Sequence, residues 1–325
     1  MILRLQTFAI ATRVEESVRE LSKTARAVLR EHVPYLWLIA TIVATADIAP
    51  ETVLFTIPRN SILCAKTSDL PARIPDVFSE DTVLEDDEDD SKLQDPWSML
   101  ILIMMYEHLK GEKSPWKPYF DVLPTAFETP MFWSGEELNE LQASSIVGRI
   151  GRDTVSQMIH DKILSVIRAH DEVFFPSAQD RLSDERLTEL AHRMGSTIMA
   201  YAFDLENDDE EEIQMEEDEW VEDKEGRVMM GMVPMADILN ADAQFNAHIN
   251  HGDECLTATA LRPIRAGEEI FNYYGPLPNG ELLRRYGYVT REHARHDVVE
   301  LPWSLLEKNI RESLPLQPET WEKVV

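Results

Sequence analysis

Cysteine is scarce in this chain: Cys64 and Cys255 are the only two among 325 residues. Two lone thiols build neither a zinc cluster nor a stapled secreted scaffold, so a reducing, intracellular compartment is expected. Long apolar runs are missing too. The run from Val33 to Ala46 covers about 14 residues before Asp47 ends it, short of the ~20 a bilayer span requires. The start, Met1 to Gln6, lacks the charged region, apolar core and small-residue cleavage site of a targeting signal. No membrane association is expected.

Positive charge is also in short supply. Lys and Arg number 31 against 60 Asp and Glu, a net charge of −29. A field of that sign repels nucleic-acid phosphates and anionic lipids and draws in basic partners. Direct nucleic-acid binding is therefore not expected, whereas basic protein tails would be attracted.

What is present reads as a globular chain, 44% apolar and 28% charged. Val14, Val18, Leu21, Ala25 and Val28 fall on one face of a helix over Arg13–Arg30. Val43–Ile48, a turn at Ala49–Glu51 and Thr52–Ile57 read as a hairpin stopped by Pro58. Residues 84–90 read as a solvated acidic loop. Asp95-Pro96 is an N-cap followed by proline at the first helical position. The helix it opens, Trp97–Leu109, is apolar nearly all round, which predicts deep burial.

Further helical patterns cover Gly135–Leu141, Val155–His170 and Ser183–Phe203. Between Asp204 and Glu225, 14 of 22 residues are acidic, a density that cannot pack. Strand patterns return at Cys255–Leu261 and, after a turn at Ala266-Gly267, at Glu268–Gly275. Ile48–Phe55 and Ile264–Phe271 echo one another: each opens on Ile, carries a Glu three or four residues on, and closes on an apolar pair ending in Phe. Each predicts a strand, a tight turn and a second strand. The order of strands, helices and strands predicts an α+β chain, a β-rich domain interrupted by a helical insert.

Four segments carry a family resemblance. They are Asp47–Pro58; Ser114-Pro-Trp116-Lys-Pro-Tyr119-Phe120 with Leu123-Pro124 and Pro130–Trp133; Val233–Asp242 with Asn246-Ala247; and Gly267–Gly275 with Asn279, Glu281–Leu283 and Tyr286–Val289. In this order and spacing they resemble SET-domain protein lysine methyltransferases. The similarity is to the insert-containing class of Rubisco large-subunit and fungal ribosomal-protein methyltransferases. The implied layout is a divergent segment at 1–40, a SET domain in two parts at 41–95 and 231–290, and an insert at 96–230. Residues 291–325 would begin a truncated C-terminal helical substrate-binding region.

The resemblance implies methyl transfer from S-adenosylmethionine to a lysine of a basic protein, a ribosomal protein or histone-like tail. That is an in-line displacement needing a neutral amine and a dry, aligned site. Tyr274 would be the catalytic residue, its hydroxyl beside the transferring methyl. Asn240 would bind the cofactor through its amide and main chain. At Ala241, where relatives have His, the contact to the cofactor would come from main chain or be absent. Tyr288 would stack near adenine, Tyr286 would line the lysine channel, and Tyr201 and Trp116 would be substrate-side walls.

His248, His251 and Cys255 lack a fourth ligand, so no metal is expected. The absence of cysteine clusters points away from histone-directed SET enzymes. The resemblance also implies the nucleus, with the cytoplasm left open, and a monomer is expected. Relatives open the domain with a Gly-x-Gly loop close to the cofactor, whereas Ile39–Ala44 contains no glycine. Two readings stay open on that ground: an active methyltransferase, and an inactive SET-fold module that binds basic protein.

Overall fold

The computed structural model describes residues 42–78, 95–142, 144–205 and 229–299, with Trp303, Ser304, Leu306, Asn309 and Ile310. The helix over 13–30, the acidic loop at 84–90 and Ile39–Thr41 lie outside the described residues. So does the acidic stretch from Glu206 onward.

The strands form two small sheets. In the first, β1 (Val53–Pro58), β5 (Cys255–Ala260) and β4 (Ala247–His251) run antiparallel in the order β1-β5-β4. Along β5, Leu256, Ala258 and Ala260 are buried, while Thr257 and Thr259 lie on the other face, the period-2 alternation of a one-sided sheet. The second sheet pairs β2 (Ala202–Leu205) with β3 (Met229–Met232). Asp204 and Leu205, read from composition as the start of the unpacked acidic stretch, belong to β2.

The two echoing segments do not fold back on themselves as hairpins. They pair with each other, Ile48 exchanging backbone hydrogen bonds with Ile264 at 2.8 and 3.0 Å. Val43 bridges Glu269, and β1 turns to β5 for its partner. Glu268–Gly275 accordingly makes isolated bridges and no continuous strand. Local pattern marks extended chain, but the choice of partner is a long-range matter.

Four helices position the site. The first, α1 (Pro96–Leu109), is capped as its sequence requires, the Asp95 carboxylate accepting from the Ser98 amide at 2.7 Å. Residues 100–107 of α1 are all buried. The second is α2 (Lys117–Val122), and the third, α3 (Asp184–Tyr201), lies across α1. Gly195 allows that approach, because a Cβ there would stand 2.8 Å from the Trp97 ring. The helical pattern read as reaching Phe203 stops at Tyr201, and Phe203 enters β2. Between α2 and α3, the run Arg152–Ala169 is helical with a π turn at Ile159–Leu164 that buries Ile159, Ile163 and Leu164. The fourth is α4 (Asn279–Tyr286).

Two apolar cores result. One is helical, built on α1, α3 and the π-turn helix; the other gathers Ile57, Val233, Leu239, Leu256, Ala258, Ile264 and Ile270 from the strand segments. Met232 and Val233, adjacent in the chain, fall in different cores, so the segment leaving β3 starts at the seam.

Candidate active site

The seam segment Val233–Asp242 is a series of tight turns. The amides of Ala236 and Asp237 approach the Val233 carbonyl, and Leu239 N donates to Ala236 O. Met235 adopts φ 81°, a left-handed conformation costly for a side chain with a Cβ and one that concentrates at functional sites. Val233, Ala236 and Leu239 are buried. Their burial fixes where the intervening Asp237 points.

A second segment, 269–275, laces across the first. Asn272 N donates to Asn240 O at 2.8 Å, Asp242 N to Asn272 O at 3.3 Å, and Ala241 bridges Asn272 in parallel. Asn246, fully buried, accepts from Phe271 N at 2.7 Å and donates from Nδ2 to Glu269 O at 2.7 Å. With its side chain satisfied at both ends, Asn246 acts as a rigid staple.

Tyr274 leaves this crossing, and its hydroxyl donates to the Leu239 carbonyl at 2.7 Å. Donation uses the one hydrogen and leaves the phenolic oxygen's lone pairs to accept. Burial holds the phenol well above the ordinary tyrosine range, so it stays neutral at physiological pH. Tyr286 stacks on Tyr274 with ring centres 5.0 Å apart, and Tyr288 follows at 6.1 Å from Tyr286.

Between the last two rings, α4 ends at Gly287, φ 79°, whose amide closes on Leu283 O. A Cβ there would also stand 3.0 Å from the Glu128 carbonyl oxygen, so the glycine admits the insert's backbone against the helix end. Burial pushes the Tyr288 hydroxyl up to about 12 and that of Tyr286 up as well.

Asp237 is the buried carboxyl of the site. Tyr119 from α2 donates to its Oδ2 at 2.6 Å. The amides of Met235, Asp237 and Ile238 lean toward the carboxylate and favour its charge, yet none meets Oδ1 in hydrogen-bond geometry; that oxygen is buried with no partner. Burial outweighs these donors and raises the carboxyl to about 7. Tyr201, at the end of α3, and Tyr274 both lie within electrostatic reach of Asp237, and burial raises the Tyr201 hydroxyl.

The structure thus brings Tyr201 and Tyr274 within electrostatic reach of Asp237, and Tyr286 and Tyr288 continue the aromatic group outward from Tyr274. Asn240 and Ala241 sit where that segment crosses the second, with Asn240 Nδ2 donating to Glu269 Oε1 at 2.7 Å. Trp116 stands at the N-cap of α2, packed, like Tyr201, against the helical core. Asp237 and Tyr119 carry the unexpected part of the geometry. The available signal was one carboxylate inside the apolar run Val233–Leu239, a place where charge is tolerated only with a purpose.

Comparison with known proteins places the chain in a family. Ribosomal lysine N-methyltransferase 4 of Saccharomyces cerevisiae is 36% identical over 290 residues, covering 86% of this chain and 54% of that protein. N-lysine methyltransferase setd6 of Xenopus laevis is 32% identical over 252 residues, covering 75% and 50%. The chain spans about half the length of the curated relatives it matches. Among solved structures, the SET domain of LSMT bound to lysine and AdoHcy superposes with a TM-score of 0.56 at 21% identity, over 84% of this chain and 58% of that one. Rubisco LSMT bound to AdoMet gives 0.53 at 22%, over 83% and 56%. Residues 40–275, which contain both crossing segments and the whole insert, match the SET domain family model, and the chain belongs to the SET-domain family.

Proposed function

We propose that this chain transfers a methyl group from S-adenosylmethionine to the side-chain amine of a lysine in a basic protein, with ribosomal proteins as the substrate class. The observation that carries the reading is the buried, unpartnered Oδ1 of Asp237 inside a group of tyrosines. An ammonium is the ligand such a site suits, since aromatic faces and a carboxylate both favour a cation.

The residues fit the donor as well. A sulfonium is cationic, and it would meet neutral phenols and the half-buried face of Tyr288. Asn240 and Ala241, at the crossing, would hold the donor through side chain and backbone. When bound, the donor supplies an electrophilic methyl group; every other task falls to the protein.

The buried Asp237 carboxyl favours a cation among the neighbouring phenols, and the proton that leaves the ammonium passes to solvent before transfer. Tyr286 and Tyr201 wall the aliphatic stem and keep water away. Tyr274, its hydrogen committed to Leu239 O, turns phenolic lone pairs toward the methyl carbon as weak C–H acceptors. These acceptors would favour the partial positive charge of the methyl group that the donor supplies.

Substrate choice follows from the yeast relative named as a ribosomal lysine methyltransferase and from the net charge of −29, which attracts basic proteins. Nuclear residence belongs to the same proposal and rests on the family resemblance. The second reading, a binding module without catalysis, is favoured by the missing glycines at 39–44. Of these residues, Ala44 turns its methyl into the strand-side core and Val43 is half-exposed.

Calorimetric titration of the purified chain with S-adenosylmethionine separates the two. Micromolar binding, weakened at least tenfold by Asn240→Ala, supports the catalytic reading. A folded chain that binds none is a protein-binding module.

A further inference from the structure

We propose that the stacked rings of Phe127 and Phe132, on the insert loop beside α4, are a docking surface for the substrate protein, taking the lysine and arginine side chains that flank the methylated lysine. The inference rests on the lysine-methylating reading above and deepens it by giving the insert a part in choosing the protein.

The two rings lie 5.9 Å apart and 19° from parallel, and Phe132 is 45% exposed. A lone exposed aromatic is ordinary, whereas a stacked pair displayed on an ordered loop marks an interaction surface. The loop is held at several points. Phe132 N donates to Thr129 O at 2.9 Å, and Trp133 Nε1 donates to Glu128 O at 2.9 Å. Arg152 Nη2 donates to the carbonyls of Pro130 at 3.2 Å and Trp133 at 2.7 Å. Thr129 and Pro130, between the two phenylalanines, are buried. A surface ordered in advance loses little freedom when a partner arrives.

Position and charge identify the partner. A Cβ on Gly287 would stand 3.0 Å from Glu128 O and 3.5 Å from Thr129 N, so the loop lies against the link between Tyr286 and Tyr288. A polypeptide whose lysine reaches those tyrosines has the loop as a neighbour. The carboxylates next to the rings in the chain are unspent. Glu128, Glu136 and Glu140 are exposed and make no ion pair among the described residues, and the last two stand one helical turn apart. Glu137, by contrast, is taken up by the capping box with Ser134, and Arg152 is committed to the loop's own carbonyls. Aromatic faces beside free carboxylates suit a cationic chain: a guanidinium or ammonium group lies on the rings and pairs with the acids. An acidic chain would be repelled, and a neutral apolar one would gain nothing from the carboxylates.

The test uses a fluorescent peptide of six arginines, which offers no lysine to methylate, and follows its anisotropy on the full chain without cofactor at physiological salt. The parent should bind it. Phe132→Leu keeps apolar bulk and removes the π face, and it should weaken binding about threefold; adding Phe127→Leu should bring the loss to about tenfold. Glu136→Gln with Glu140→Gln should weaken binding as well and flatten its salt dependence. Proton NMR gives a readout that a structural role would not move: the arginine δ-methylene signals should shift upfield on the parent and stay unshifted on the doubly substituted chain.

Folded Phe→Leu variants that bind the peptide as the parent does would overturn the proposal, since the overall charge alone would then attract it. A parent that dimerises, with the doubly substituted chain monomeric, would place a second copy on the rings and overturn it too. With ribosomal proteins as substrate, the double variant should raise KM about tenfold and leave kcat within twofold; a loss in kcat alone would deny docking. A parent that methylates no protein sinks the lysine reading, while the arginine peptide, which needs neither lysine nor donor, still decides the surface.

Discussion

The hydroxyl of Tyr119 lies 2.6 Å from the carboxylate of Asp237, although 118 positions separate the two residues in the chain. One belongs to a helix of the insert, the other to the turn that leaves β3 at the seam of the two cores. Their bond ties that helix to the turn, and Tyr201 and Tyr274 lie within electrostatic reach of the same carboxylate.

Asp237 is a site of stability given up for function. Its folded carboxyl titrates at about 7 against an ordinary 3.8, because burial penalises the charge. Between those values the folded chain holds a proton that the unfolded chain has released, so stability falls as pH rises from about 4 to 7. Asp237→Asn should therefore resist urea better than the parent at pH 8, by on the order of 3 kcal/mol, with the advantage shrinking toward pH 4. Equal stability at pH 8 would show that the carboxyl is not raised.

Tyr274→Phe removes the hydrogen donated to Leu239 O and, on the proposed reading, the oxygen that would face the methyl group. Methyl transfer should fall on the order of a hundredfold or more, the scale of losing one well-placed polar group in a dry site. Affinity for S-adenosylmethionine should change only a few-fold. Single-turnover rates and calorimetry measure the two separately.

Much of the fold was legible because its signals are local. Asp95-Pro96 is a cap and a start, and the unbroken apolar surface of the helix after it could only be interior. Alternation along β5 announced a half-buried strand. The paired echoes misled for a physical reason: matching extended segments look like hairpins, but Ile48 and Ile264 satisfy each other's backbone across the insert. The site was legible to the same extent. Tyr274, Tyr286 and Tyr288 form a run of neighbouring rings, and Trp116 and Tyr201 both pack on the helical core. Asp237 drew no notice because burial and an empty oxygen are properties of the folded chain.

Glu107 joins the insert to the strand domain. With its side chain 1% exposed, it accepts from Ser68 Oγ at 3.0 Å, Lys110 Nζ at 3.1 Å and Ser114 Oγ at 2.6 Å. Glu107→Ala strands these donors and should cost about 3 kcal/mol in urea unfolding. Because Ser114 sets the turn into α2, lysine binding should weaken as well. A variant as stable as the parent would assign the carboxylate no structural role.

Gly287→Ala tests the close of α4. The position has φ 79°, and a Cβ would press on the Glu128 carbonyl at 3.0 Å. Conformational cost alone is roughly 1–2 kcal/mol, and relief of the contact must move either the insert or the Tyr286–Tyr288 pair. Calorimetric melting should drop by several degrees, with lysine affinity falling alongside. Unchanged melting would mean that the backbone yields at no cost.

The most direct test of the account is transfer of label. The full chain is incubated with S-adenosylmethionine carrying a tritiated methyl group and with purified ribosomal proteins, and the acceptor residue is located by mass spectrometry. The account predicts labelled lysine, lost in Tyr274→Phe and in Asp237→Asn, with both variants folded. A folded parent chain that leaves every lysine unlabelled, or that labels one equally well without Asp237 and Tyr274, would contradict it.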